Sequence, residues 1–333
     1  MSDVDTDDEC FRFEHNSNVF FLISNLFDPR YGFLFFFPML FSLSNSVGMR
    51  ALWVTILAEW SNQVLKWVLH GERPYWWVHE TGVYNSTSLP AIQQYSMTCE
   101  TGPGSPSGHV MVTAALWYVL VTSVIDKYRQ HKNINLLSAA CWCFYATILV
   151  AVSMSRVYIA AHFPHQCVLG VVVGIAVARL AGERAPASPS HLTLAAGGLL
   201  GSALLTYGSI RAIGLDPMWS VNRAVKWCAR REFIHLDTTP FFSMTRYGGF
   251  ALGLGAGLGS RGRTQDSPAT MTRVICACMA VMICRLSEML VLPKDNLALF
   301  YGLAFVLNTL LPVLVVAVVP RVVTTGLAKV KTA

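Results

Sequence analysis

Three short polar blocks interrupt an otherwise apolar chain, and their residue types are those that hold a phosphate dianion and cleave its ester. Lys66 stands seven residues before Arg73, which Pro74 follows. Pro106-Ser107-Gly108-His109 comes next, and Ser155-Arg156 then leads to His162, six residues beyond the arginine. Together the blocks supply three cations, a backbone-rich loop and two imidazoles, an inventory for phosphoryl transfer. His162 with His165, or His79 beside Glu80, lacks a third ligand at zinc-like spacing, so neither a metal nor another cofactor is expected.

Each block has a physical reading and a plainer one. On a helix, Lys66 and Arg73 share a face two turns apart, and Pro74 disfavours helix at Arg73, making it a helix-end group. A guanidinium fork holds two phosphate oxygens while lysine adds a point charge, although cations snorkelling at a membrane boundary would look the same. The second block follows Thr101-Gly102-Pro103-Gly104-Ser105, which cannot be helix, and opens an apolar run at Val110. Ser107 is placed to cap that helix, so free N–H groups around Gly108 and His109 face an anion, and glycine lets the backbone come close. His109 can donate a proton to the leaving oxygen; a simple cap beside a boundary histidine is the alternative. In the third block Pro164 begins the next helix. A neutral His162 is a competent nucleophile towards phosphorus, with Arg156 and the other cations stabilising the equatorial oxygens; taken alone, it could be a hydrogen-bonded core histidine.

The elements that must position these blocks are membrane helices. Apolar residues make up 53% of the chain and charged residues 13%, and long apolar runs recur throughout. Windows of about 20 residues place nine spans near 27–46, 50–70, 110–126, 135–154, 165–182, 191–210, 245–259, 271–292 and 297–319. The expected fold is therefore an all-α polytopic membrane protein, with residues 1–333 forming one integral membrane domain and 50–182 its catalytic core. The seventh span is short and rich in glycine (Gly248, Gly249, Gly253, Gly255, Gly257), which suits close helix packing. A net charge of +6, scattered along the chain, excludes a nucleic-acid footprint. Residues 1–14 are acidic and form no leader, so the first span is expected to act as its own insertion signal.

With nine spans, all three blocks emerge on one side of the membrane, as a single site requires. The opposite side receives Arg50, then Lys127, Arg129 and Lys132, then Arg179 and Arg184, then Arg261, Arg263 and Arg273, then Lys329 and Lys331. The positive-inside rule makes that side cytosolic. Segment 211–246 is an exception, since Arg211, Arg223, Lys226, Arg230, Arg231 and Arg246 are only partly offset by Asp216, Glu232 and Asp237. Asn85-Ser86-Thr87 is the one sequon and falls on the lumenal side, making Asn85 a candidate glycosylation site. The C-terminal Lys329-Val330-Lys331-Thr332-Ala333 resembles a cytosolic dilysine retrieval signal and equally suits a basic flank. Most of the nine cysteines lie in apolar runs as small core residues; Cys99 and Cys228 could pair in an oxidising lumen or stay as free thiols.

At these residues the chain resembles the type 2 phosphatidic acid phosphatase superfamily, whose pattern is K-x6-RP, PSGH and SR-x5-H-x3-D. Gln166 stands where that pattern has aspartate, and glutamine can orient the histidine but not charge it. The flanks are more specific: Lys66-Trp67, Arg73-Pro74-Tyr75-Trp76-Trp77-Val78, CETGPGSPSGH at 99–109 and SRVYIAAHFPHQ at 155–166 resemble glucose-6-phosphatase catalytic subunits, a branch that also carries this glutamine. Trp227-Cys228 and the stretch from His235 to Phe241 extend the likeness over about 27–320.

The resemblance implies an endoplasmic reticulum membrane enzyme with a lumenal site and a cytosolic C-terminus. It would hydrolyse glucose 6-phosphate through a phosphohistidine at His162. His109 would be the proton donor, Lys66, Arg73 and Arg156 the phosphate ligands, and Ser107 and Gly108 would complete the cradle. Coupling to a glucose-6-phosphate transporter stays open. So do three other readings: a phosphatase of related sugar phosphates, a lipid-phosphate phosphatase, and a catalytically weak scaffold.

Overall fold

The computed structural model describes residues 17–85, 87–186, 188–234, 236–261 and 269–332. The expectations that rest on residues 1–14, Ser86, Arg263, His235 and the side chains of 328–333 lie outside the described residues. Among the described residues the fold is helical throughout, without strands. In chain order the helices are α1 Ser17–Leu26, α2 Gly32–Leu43, α3 Asn45–Leu69, α4 Pro74–Glu80, α5 Gly108–Lys127 and α6 Ile134–Tyr158. They continue with α7 Pro164–Ala181, α8 Pro189–Ala212, α9 Trp219–Trp227, α10 Pro240–Ser260, α11 Thr270–Ser287, α12 Leu297–Val313 and α13 Val319–Thr332.

Among the described residues six stretches are long and apolar enough to cross a bilayer: α5, α6, α7, α8, α11 and Leu297–Leu327, the last running through α12 into α13. They fall on six of the nine expected spans. The other three differ for physical reasons. The apolar run expected at 27–46 is divided, because the chain breaks between α1 and α2 and again at the extended Ser44. Helix α2 alone is too short to span about 30 Å at 1.5 Å per residue. Helix α3 has the length, with 25 residues, but carries Arg50, Glu59 and Lys66. In α10 the glycines and Arg246 dilute the apolar character.

The α10 glycines serve packing. A methyl group built on Gly253 would stand 2.0 Å from the Thr309 carbonyl oxygen of α12, so the two helices meet backbone to backbone. Buried Glu59 of α3 faces Arg246 of α10, with Arg246 Nε 3.0 Å from each carboxylate oxygen, which pairs a buried charge with its opposite. Helices α2, α3, α8, α10 and α11 share one apolar core with the 311–323 stretch, while α3, α5 and α7 share another. Outward faces such as Leu194 and Leu205 of α8, or Val168 and Val172 of α7, are apolar and exposed, as lipid contact requires.

Candidate active site

The three blocks meet where α3 and α6 end and α5 and α7 begin. Lys66 lies in the last turn of α3, which stops at His70 in the left-handed conformation (φ 48°). Arg73 then adopts extended backbone (φ −114°, ψ 148°) as the residue before Pro74 and the N-cap of α4, as its sequence context predicts. The loop 81–107 returns the chain to α5, whose N-cap is Ser107. The third block differs in one respect: α6 runs to Tyr158, so Ser155 and Arg156 sit in its last turn rather than beyond it. The apolar run ends at Arg156, but the helix continues because this guanidinium turns inward and is fully buried.

Arg73 is fixed almost entirely by backbone. Its Nε donates to the Gly102 carbonyl (2.7 Å), Nη1 to the Ala161 carbonyl (2.9 Å) and Nη2 to the Pro103 carbonyl (3.2 Å). Nη1 also lies 3.4 Å from His162 Nε2. Arg156 donates from Nη1 to Ser24 Oγ of α1 (2.6 Å) and from Nη2 to Glu100 Oε1. Lys66 Nζ approaches the same loop, 3.7 Å from where a Gly102 side chain would begin.

His162 follows a tight turn in which the Ala161 and His162 N–H groups both donate to the Arg156 carbonyl, at 3.1 and 3.2 Å. Its Nδ1 faces two acceptors, the Gly104 carbonyl at 2.8 Å and Gln166 Oε1 at 3.1 Å. Two acceptors require the ring proton on Nδ1, which leaves the Nε2 lone pair towards Arg73. Gln166 is held in turn: its Nε2 donates to the Glu72 carbonyl (2.6 Å), and its Oε1 accepts from Phe163 N–H (3.2 Å) at the start of α7. Gly104 admits no side chain, since a methyl group there would stand 2.3 Å from the Glu72 carbonyl oxygen. Burial, and then the Arg73 charge, pushes the His162 pKa well below the ordinary histidine range, with Glu100 opposing in part.

His109 lies across from His162, its Nδ1 3.7 Å from Glu100 Oε1 and its Nε2 3.8 Å from Asp28 Oδ2. Ser107 is buried at the N-terminus of α5 but, against expectation, its side chain makes no capping hydrogen bond. Its backbone N–H donates instead to the Gln166 carbonyl (3.1 Å), tying the start of α5 to α7. The N–H groups that follow, at Gly108 and His109, open the helix and have no intrahelical acceptor.

Sequence reasoning assigned no role to Glu100, Asp28 or Ser24. Glu100 had a usable signal, as the one acidic residue leading into the glycine-proline loop before His109. Burial alone would raise its pKa, but Arg156 and Arg73 outweigh this and hold the carboxyl well below the ordinary carboxylate range. Asp28 and Ser24 reach the site from α1 and the turn after it, too far away in sequence for spacing to reveal.

The aromatic residues of loop 75–105 are taken up in packing rather than presented to a ligand. Trp76 is fully buried with Trp219 against it, Trp77 packs edge-on to Phe163, and Gln94 bonds the backbone at Trp227 and Ala229. His79 stacks on Trp227 and His165 on Phe163. Among the described residues no three His, Cys, Asp or Glu side chains converge as a metal cage. Segment 211–239 covers this loop through a Cys99–Cys228 disulfide, an Arg223–Glu72 pair and a Lys226–Glu80 pair at 3.0 Å. These pairs engage Arg223 and Lys226, two of the six cations that made segment 211–246 an exception, and Arg246 is paired with Glu59.

Three comparisons bear on this geometry. The PAP2 superfamily profile matches residues 47–184. The chain is 38% identical to glucose-6-phosphatase catalytic subunit 1 of Rattus norvegicus over 320 residues, covering 92% of this chain and 90% of that protein. It is 38% identical to glucose-6-phosphatase 2 of Homo sapiens (90% and 88% covered) and 40% identical to glucose-6-phosphatase 3 of Mus musculus (92% and 90% covered). No solved structure matches the chain.

Proposed function

The chain belongs to the glucose-6-phosphatase catalytic-subunit family within the PAP2 superfamily, and we propose that it hydrolyses glucose 6-phosphate to glucose and inorganic phosphate. Membership makes it a phosphoric monoester hydrolase built on membrane helices. The observation that carries the mechanism is the orientation of His162: with Nδ1 bonded to Gly104 and Gln166, Nε2 is the nucleophilic atom, aimed at the space between Arg73 and Arg156.

In this reading the phosphoryl group sits between the Arg73 and Arg156 guanidinium groups, with Lys66, the Ser107 hydroxyl and the Gly108 N–H completing its ligands. Nε2 attacks phosphorus as the bond to the sugar oxygen breaks, and His109 gives that oxygen its proton. Water then attacks the phosphohistidine, losing its proton to His109 and returning Nε2 its electron pair. The arginines, buried and preorganised, stabilise the equatorial oxygens as charge shifts onto them. Gln166 supplies orientation without charge, so the nucleophile is activated by tautomer control and not by a carboxylate partner.

Side-by-side turnover of purified full-length protein on glucose 6-phosphate and on phosphatidic acid tests the substrate. Hydrolysis of the sugar phosphate, unchanged by metal chelators and inhibited by vanadate as a mimic of five-coordinate phosphorus, is the expected result. Ready cleavage of phosphatidic acid with glucose 6-phosphate untouched would move the chain to the lipid-phosphatase reading.

We further propose that the site faces the endoplasmic reticulum lumen and the C-terminus the cytosol, where a glucose-6-phosphate transporter would deliver substrate to the lumenal side. The Cys99–Cys228 disulfide supports this, because such crosslinks persist in oxidising compartments. Asn85 is exposed on the same loop. Protein made in microsomes is expected to shift on glycosidase treatment, and Asn85→Gln to remove the shift. Labelling of the site loop from the cytosolic face of sealed microsomes would refute this orientation.

A further inference from the structure

The space between the two arginines is filled by a carboxylate of the protein itself. Glu100 Oε2 lies 2.8 Å from Arg73 Nη2, and Oε1 accepts from Arg156 Nη2. The same two oxygens stand 3.8 Å from His162 Nε2 and 3.7 Å from His109 Nδ1. One small anion thus touches both guanidinium groups and lies within 4 Å of the nucleophile and of the proton donor. Phosphorus must occupy that same point if His162 is to attack it while His109 protonates the leaving oxygen.

We propose that Glu100 is the resident anion of the phosphate seat, a specificity-determining residue whose carboxylate the substrate's phosphoryl group displaces from Arg73 and Arg156. This rests on the reading of the site as phosphate-binding. Two anions do not share the seat: at about 4 Å and surface-like screening, each pair of unit charges lowers affinity by roughly 10³-fold. The other charged groups facing Glu100 are His109 from α5, His162 from the turn before α7 and Lys66 from α3, with Asp28 beyond His109. None of these is an anion able to take its place against both arginines.

The exchange needs only a side-chain rotation. The Glu100 backbone is held at both polar atoms, its N–H donating to the Thr98 carbonyl (2.9 Å) and its carbonyl accepting from Tyr75 Oη–H (3.0 Å). Its neighbour Cys99 is crosslinked to Cys228. The side chain keeps 14% exposure while both arginine side chains have none, so the carboxylate has a way out and the guanidinium groups do not. Two fully buried cations are thereby neutralised in both states, by Glu100 when the site is empty and by phosphate when it is loaded. A ligand must outbid a carboxylate that already has two arginine partners. A phosphate dianion with three oxygens can do so, whereas a monoanionic carboxylate or a neutral sugar cannot. The returning carboxylate also helps to expel inorganic phosphate after the second step.

The test compares wild type with Glu100→Gln, both full-length and purified, using inorganic phosphate and vanadate as ligands. The variant keeps the shape and removes the charge. It is expected to bind both anions about tenfold or more tightly, on the scale of one lost charge-assisted competitor. Its ligand-free melting temperature should fall at the same time, because two buried arginines lose their counter-charge. In turnover, KM and kcat should fall together as product release slows. Equal or weaker anion binding by the variant would overturn the proposal and make Glu100 a scaffold for the arginines. If the variant does not fold, the wild-type structure with vanadate bound decides: a carboxylate withdrawn from both guanidinium groups is expected, and one still bridging them refutes displacement. Wild type and variant both failing to bind either anion would instead overturn the phosphate reading itself.

Discussion

Replacing His162 with alanine is expected to abolish turnover, with a loss on the order of 10⁴-fold or more, as when the nucleophile of a covalent mechanism is removed. The reason lies in the ring's surroundings. Nδ1 is committed to the Gly104 carbonyl and Gln166 Oε1, so Nε2 is free to attack, and Arg73 Nη1 lies 3.4 Å from it. Burial and the Arg73 charge lower the His162 pKa, so the imidazole stays neutral as pH falls from 7 towards 6. Protonation of His162 is therefore expected to contribute no acid limb to kcat/KM in that interval. Rapid quenching with labelled substrate should trap an acid-labile phosphoryl group in wild type and none in the variant. His109→Ala should behave differently, slowing esters of poor leaving groups far more than nitrophenyl phosphate. Undiminished turnover by His162→Ala would falsify the nucleophile assignment.

Arg73→Ala and Arg156→Ala are each expected to cost about 3 kcal/mol or more in kcat/KM, near the scale of removing an oxyanion donor. Arg73 should be the more damaging. Its guanidinium also ties the Gly102, Pro103 and Ala161 carbonyls together, so its loss frees the loop that carries Glu100 and the turn that carries His162. Arg73→Lys should restore little, because an ammonium group cannot reach three carbonyls and also face phosphate with a planar fork. Kinetics on the purified variants, alongside melting temperatures, separate transition-state losses from lost folding. A decrease smaller than about tenfold for either alanine variant would remove that arginine from the phosphate seat.

Much of the candidate site's placement was legible because it is built from helix ends. Pro74, Pro164 and the glycine-proline run 101–106 each dictate where a helix starts, and the polar residues beside them can only appear at those junctions. The span count was less legible. Arg50, Glu59 and Lys66 interrupt the apolar character of α3 without breaking the helix, since Glu59 finds Arg246 across the interface with α10. Likewise, the apolar pattern places the end of α6 at its last apolar residue, whereas the helix runs on through buried Arg156 to Tyr158.

By itself the sequence determined the membrane character, the helical fold and the residue types of the candidate site, because these follow from hydropathy, proline and glycine chemistry over a few neighbouring positions. Only the tertiary structure decided which partner each side chain meets. Glu100 reaches Arg156 across 56 positions and Arg156 reaches Ser24 across 132. Cys99 is joined to Cys228 across 129. Local patterning is blind to such pairings, since they depend on how loop 81–107 folds back and on segment 211–239 covering it. The same long-range packing set Trp76 against Trp219 and Trp77 against Phe163, and placed a carboxylate between two arginines. It is the cost of leaving buried charges unpaired that selects this arrangement, and that cost arises only once the helices have come together.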